Sequence, residues 1–393
     1  MAAGLVVAGL VATTTGALAE INATQPIYPI PLEITAHGIL WNNGPAVDLV
    51  TRDGATVQIS PTGGVDAGRG DFAVVGTAQG GLAISRLGAA PRPLAVGPSV
   101  GPGGCRDWVA DPSGKTSSMG ASVTVSGVEL ILAGSPACRR ITPSTPRPLF
   151  ARPLAPGGRW RILRWLPSST QPLLSARGGW VAVGIPRAGG RMLAQVIDAG
   201  TGRVRNSLDL PDAYLSVAES GAVVAAVGDI TFDEYEPSIQ LPYKMLYIAA
   251  GGRVARPLLG AVTVYGIPSV SDGRVAYQVG SPFETSSLAV TDLRTHSTRT
   301  IAGFSGTQRE LLDFDLRGNE VAWTQADPQV PPPARPPGLP CTIGPYTPPP
   351  VVTLHSVDLS RPGAPIAAPG AAPATPAATT APCNQQQAAG AAG

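Results

Sequence analysis

Few stretches of this sequence combine residue types and spacing that chemistry could use. Gly97-Pro98-Ser99-Val100-Gly101 matches the G-x-S-x-G of a nucleophile elbow, where a strained turn between strand and helix presents the serine. Here the serine follows a proline inside a Gly/Pro-rich loop and no helical segment follows, so the match reads as coincidence. Ser113-Gly114-Lys115-Thr116 looks like the end of a phosphate-binding loop, yet the first glycine would fall at Val109, and Pro112 interrupts the loop. The segment Asp229 to Lys244 gathers Asp229, Asp233, Glu234 and Glu236, oxygen donors of the kind that bind calcium or share proton transfer. Their spacing fits no ligand loop. Within that segment Phe232, Asp233, Glu234, Tyr235 and Tyr243 are the expected partner-binding residues, because aromatic side chains anchor interfaces.

The strongest charge feature runs from Arg139 to Arg164 and contains no Asp or Glu. Arg159, Trp160, Arg161, Arg164 and Trp165 are candidates to grip an anionic polymer, since guanidinium forks bind anions and aromatic faces hold cations. The alternative is an outer strand whose arginines face water. Cys105, Cys138, Cys341 and Cys383 allow three pairings. Cys105–Cys138 and Cys341–Cys383 are expected as disulfides, because each pair falls in one local unit. No CxxC occurs and the histidines (His37, His296, His355) are scattered, so no zinc, other metal or cofactor is expected.

The elements that must carry these residues follow from composition and repetition. The chain has 393 residues with 48 glycines and 42 prolines; only 14% are charged and 44% are hydrophobic. That excludes a coiled coil, a helical bundle and a collagen, and leaves enough apolar surface for a core. A net charge of +2 does not by itself point to a polyanion, and no nucleic-acid partner is expected. Residues 2–19 are uncharged and end in Ala17-Leu18-Ala19, the small-x-small pattern of a signal peptide, although no Lys or Arg precedes Arg52. Residues 1–19 are therefore expected to be a signal peptide and the mature chain to begin near Glu20, secreted or held in the cell envelope. No other stretch has the apolar length of a membrane span.

One motif recurs. Ser271-Asp272-Gly273-Arg274-Val275-Ala276-Tyr277-Gln278 is answered by Leu288-Ala289-Val290-Thr291-Asp292-Leu293. Similar pairs begin near Gly38, Asp71, Ser122, Gly179, Gly221 and Arg317, which makes seven copies. Each run is short, rich in Val, Ala and aromatics, and bounded by turn residues, as strands are. The spacing approaches the period of four-stranded propeller blades, and no long segment shows helical periodicity. The fold expected is all-β, a β-propeller over residues 20–361 with a low-complexity, disordered tail over 362–393; a sandwich or solenoid is the alternative.

The Ser-Asp-Gly-Arg-Val-Ala-Tyr block followed by Leu-x-Val-x-Asp-Leu resembles the repeat of TolB-like β-propellers. The resemblance implies an extracytoplasmic six- or seven-bladed propeller of the kind that often binds proteins. The function expected is a non-enzymatic, monomeric propeller that binds a protein or envelope component. The alternative is a propeller lyase or hydrolase with a central-channel site. A propeller belonging to a peptidase would need roughly 200 further residues for its hydrolase domain. The partner is expected on the face that carries the variable loops Ser126-Gly127, Ile185 to Arg191, Asp229 to Lys244, Ser281 to Ser286 and Ala326 to Pro350.

Overall fold

A computed structural model describes residues 19–21, 32–43, 46–61, 65–69, 71–76, 82–87, 92–93, 108–109, 123–126, 129–133, 135–136, 146–155, 157–167, 173–228, 244–258, 264–280, 285–305, 310–327 and 351–360. Among these residues the strands form seven four-stranded sheets and one two-stranded ribbon. The innermost strands of the sheets are Leu32–Ile34, Val65–Arg69, Val123–Ser126, Leu173–Arg177, Ala213–Val217, Val264–Ser271 and Glu310–Arg317. Each packs beside the innermost strands of its neighbours, and Glu310–Arg317 returns to Leu32–Ile34. Hydrogen bonds cross that seam: the N–H of Leu32 donates to Asp313 Oδ2 and that of Ile34 to Asp315 Oδ2, both at 3.0 Å, and Arg317 Nη1 donates to the Ile34 carbonyl at 3.4 Å. The seventh sheet takes its outer strand from the start of the chain, Ala19–Ile21, paired antiparallel with Val351–Asp358. The arrangement is a seven-bladed propeller, and the sheets are numbered here as blades in chain order.

The sequence builds each blade from alternating apolar runs and tight turns. In the sixth blade Ser271-Asp272-Gly273-Arg274 turns the innermost strand into the second, and Gly273 adopts φ +77°, a conformation glycine reaches without a Cβ clash. The core lies between blades. Ile34 and Trp41 of the first blade pack on Val352 and Leu354 of the seventh, and Val270 and Tyr277 of the sixth pack on Val224 and Ala226 of the fifth. Among the described residues Trp41, Trp323 and Tyr277 are the largest fully buried side chains. Burying one such large apolar side chain contributes roughly 1.5–3 kcal/mol.

Two faces follow from the strand order. The turn face carries the turns from innermost to second strand. The loop face is where innermost strands begin and where second strands lead to third. The strand ends that flank 228–243 and 328–350 both open on the loop face. The third repeat departs from the expectation. Val123–Ser126 is the innermost strand and Glu129–Ala133 the second, so Ser126-Gly127 belongs to the turn face. The equivalent connection is the one from Ala133 to Arg147, which carries Ser135–Pro136, paired with Trp108–Val109 as the ribbon. Two adjacent hairpins of similar apolar pattern look alike in sequence, and only ring position tells them apart.

The four cysteines, Phe232 to Tyr243, the Gly97–Gly101 and Ser113–Thr116 motifs and the 362–393 tail lie outside the described residues. Of the expected signal segment, Ala19 alone falls within them.

Candidate axial site

An innermost strand presents an unpaired hydrogen-bonding edge to the axis, and its polar groups need partners. At the turn face a single side chain supplies several of them. Arg177 ends the innermost strand of the fourth blade and is 5% exposed. Its Nη1 donates to the carbonyl oxygens of Val270 in the sixth blade and, at 2.6 Å, Leu316 in the seventh. Its Nη2 donates to Asp315 Oδ1 at 3.0 Å, and Glu219 of the fifth blade lies 3.7 Å away. One guanidinium thus ties the fourth blade to the sixth and seventh across the axis.

Asp315 is buried and well supplied. Besides Arg177, its Oδ1 accepts from Ser269 Oγ at 2.7 Å and the N–H of Leu316 at 2.8 Å, and its Oδ2 accepts from Ile34. A buried ion pair of this kind stands only when its remaining hydrogen-bonding groups are satisfied. Ser271 Oγ bonds Glu219 at 3.2 Å and accepts from the N–H of Gly318 at 2.9 Å, extending the network to the turn. Gly178 makes room for it: φ is +57°, and a Cβ there would lie 2.6 Å from Glu219 Cα.

Two residues nearer the loop face stands Asp313, half-buried, accepting the N–H of Leu32 at 3.0 Å and of Phe314 at 2.8 Å. Loss of water pushes its carboxyl up to about 7; the charges of Glu33 and Asp315 add to the rise, and the two backbone donors oppose it. Glu33 sits between Leu32 and Ile34 and is half-buried. Glu310, at the start of the same strand as Asp313, is also shifted upward by burial. On the sixth blade the pairing jumps from Tyr265 opposite Gln278 to Ser269 opposite Ala276, and the bulge presents Ile267 at 51% exposure. Bulges of this kind re-aim side chains and occur beside active sites. Among the described residues no three His, Cys, Asp or Glu side chains converge as metal ligands would.

The arginine-rich segment is distributed differently. It forms the third and fourth strands of the third blade, Arg147–Pro153 and Arg161–Leu166. Arg161 is paired with Glu129 at 2.9 Å and donates to the Ala199 carbonyl at 2.6 Å. Trp160 meets Phe150 edge-on at 6.2 Å, with the Arg152 guanidinium 5.8 Å from its ring. Arg159 is exposed, and Arg164 and Trp165 are half-buried. Arg147 is buried, and burial lowers its pKa to about 10.

Sequence reasoning passed over Arg177, Glu219, Asp313 and Asp315. A signal for the first existed: an arginine followed by glycine ends the innermost strand in Arg69-Gly70, Arg177-Gly178 and Arg317-Gly318. Nothing local marks the aspartates, which become partners of Arg177 only when the ring closes.

No family model matches the chain, and no curated protein matches it. Solved structures do. A puromycin hydrolase is 15% identical, with 78% of this chain and 51% of that one covered and a TM-score of 0.51. A puromycin-hydrolyzing peptidase of Mycobacterium tuberculosis is 14% identical, with 89% and 54% covered and a TM-score of 0.51. A putative TolB from Agrobacterium tumefaciens is 11% identical, with 60% and 78% covered and a TM-score of 0.36. The chain spans about half the length of the two hydrolases it matches.

The expectation of a non-enzymatic binding propeller does not stand against these similarities. The two hydrolases just described match at a TM-score of 0.51, which fits the propeller-enzyme alternative better. The innermost strands carry carboxylates and an arginine at the axis, Asp313, Asp315 and Arg177. At this level of identity the likeness is one of fold: the chain has a β-propeller fold.

Proposed function

We propose that this propeller serves hydrolysis, with its axis as the site. Asp313 is the proton donor to the leaving group, and Glu33 is the carboxylate that takes a proton from the attacking water. The observation that carries this reading is the division between neighbouring carboxyls on one strand. Asp313 is pushed up to about 7, while Asp315 is held in an ion pair with Arg177. Carboxyl groups driven apart in this way are what acid–base chemistry at neutral pH requires. The half-length match to two puromycin hydrolases supports amides as the first substrate class to test.

The reading includes export, supported by the uncharged run that ends Ala17-Leu18-Ala19, and disulfides Cys105–Cys138 and Cys341–Cys383. No helix among the described residues is long and apolar enough to cross a membrane. The test is direct. The purified chain is incubated with a series of aminoacyl and peptidyl anilides and the corresponding esters. Release of the chromophore that is lost in D313A supports the reading. No turnover of any member, or turnover that D313A leaves unchanged, refutes it.

A further inference from the structure

The two ends of the axis differ in access. Where the innermost strands reach the turn face, Ile34, Ser126, Val217, Ser271 and Leu316 are buried, and Arg177 is nearly so. Toward the loop face burial is mixed: Leu32, Ala213, Val264 and Leu311 are buried, whereas Ile267 is half exposed and Leu173, Ser175, Leu312 and Asp313 are half-buried. The closed end coincides with the reach of one side chain. From the fourth blade Arg177 contacts two carbonyl oxygens and a carboxylate on the sixth and seventh blades, which stand across the ring. A guanidinium suits this place, since it is planar, always charged and presents donors in a fixed fork. The carbonyls it caps are otherwise the free edge of innermost strands. Glu219 flanks it, held in turn by Ser271 and the N–H of Asp272 at 2.9 Å.

We infer that Arg177 is the floor of an axial pit with one mouth: it seals the turn face, and a small ligand enters and leaves on the loop face, past Ile267. The hydrolytic reading supplies only the name of that ligand, the substrate; the seal stands on its own geometry.

The test uses the full chain and a small charged thiol reagent, with labelling read residue by residue after digestion, so that the native cysteines are scored separately. In I267C the introduced thiol is expected to label readily. In S271C it is expected to label at least ~100-fold more slowly. Combining S271C with R177A or with R177Q, whose amide still donates hydrogen bonds but is shorter and uncharged, is expected to raise labelling at position 271 at least ~10-fold. The same changes leave position 267 at its original rate. Equal labelling of the two positions with Arg177 in place overturns the inference, and that comparison requires no change at the floor. Continued protection of position 271 in folded R177A or R177Q chains overturns it as well. Neither result depends on turnover, so loss of the hydrolytic reading and loss of the seal are distinguishable.

Discussion

Replacing Arg177 by alanine is the sharpest perturbation of the ring. Removing one partner of a buried pair leaves the other charge uncompensated, at a cost of about 3–5 kcal/mol. Asp315 would keep three donors, Ile34 N–H, Leu316 N–H and Ser269 Oγ, which places the cost at the lower end, about 3 kcal/mol. In a chain of this size each kcal/mol moves the melting temperature by about 2 °C, so R177A should melt roughly 6 °C lower at pH 7 by scanning calorimetry. Arg52 provides the contrast. It pairs with Glu320 on the turn face, but its side chain is half exposed, and exposed pairs contribute about 0–1 kcal/mol. R52A should therefore shift melting by about 2 °C or less. D315N removes the stranded charge, so R177A/D315N should be less damaged than the two single losses added together, with a coupling of about 2 kcal/mol. A shift for R177A no larger than that for R52A would refute the idea that Arg177 holds the axis.

Three further expectations can be checked independently. G178A should destabilise by about 2 kcal/mol or more in urea unfolding, because φ +57° and the 2.6 Å approach of Glu219 Cα leave no space for a Cβ; a change under about 0.5 kcal/mol would contradict the close approach. Asp313 has a folded-state pKa raised from 3.8 to about 7, so the folded state holds a proton the unfolded state has released, and its contribution to stability falls as pH rises across that window. D313N should flatten that part of the stability profile, and a profile parallel to that of the parent chain would count against the shift. The ribbon pairs Trp108 with Pro136, three residues from Cys105 and two from Cys138, so a non-reduced digest should contain a Cys105–Cys138 peptide. Losing that bridge should cost about 4 kcal/mol in the chain-entropy model, and a free thiol at either position in exported protein would refute the pairing.

What the sequence made legible was local. The hairpin from Ser271 to Gln278 announces itself through a turn whose glycine takes positive φ and through alternating residues that fill both faces of a blade. Arg92–Pro93 and Arg256–Pro257 are the outer strands of the second and fifth blades. The third repeat was placed one strand out because Val123–Ser126 and Glu129–Ala133 have the pattern of any second–third pair. The strand Ala19–Ile21 was hidden in a stretch that also satisfies an export signal, and its partner Val351–Asp358 lies at the far end of the chain. The axial network was illegible for the same reason. Arg177 and Asp315 are 138 positions apart, and ring closure alone makes them neighbours. Arginines crowded in sequence between Arg147 and Arg164 are spread over two strands, and one of them, Arg161, is paired with Glu129.

If Asp313 acts as an acid on the axis, its titration governs the pH dependence of turnover. With the best anilide found, kcat/KM of the parent chain should fall as pH rises through about 7, following the titration of Asp313. D313N should lose at least ~100-fold in rate, the scale of one acid–base group, and should lose that limb of the profile while keeping the parent's circular dichroism spectrum. A D313N chain that retains both the rate and the descending limb would contradict the account.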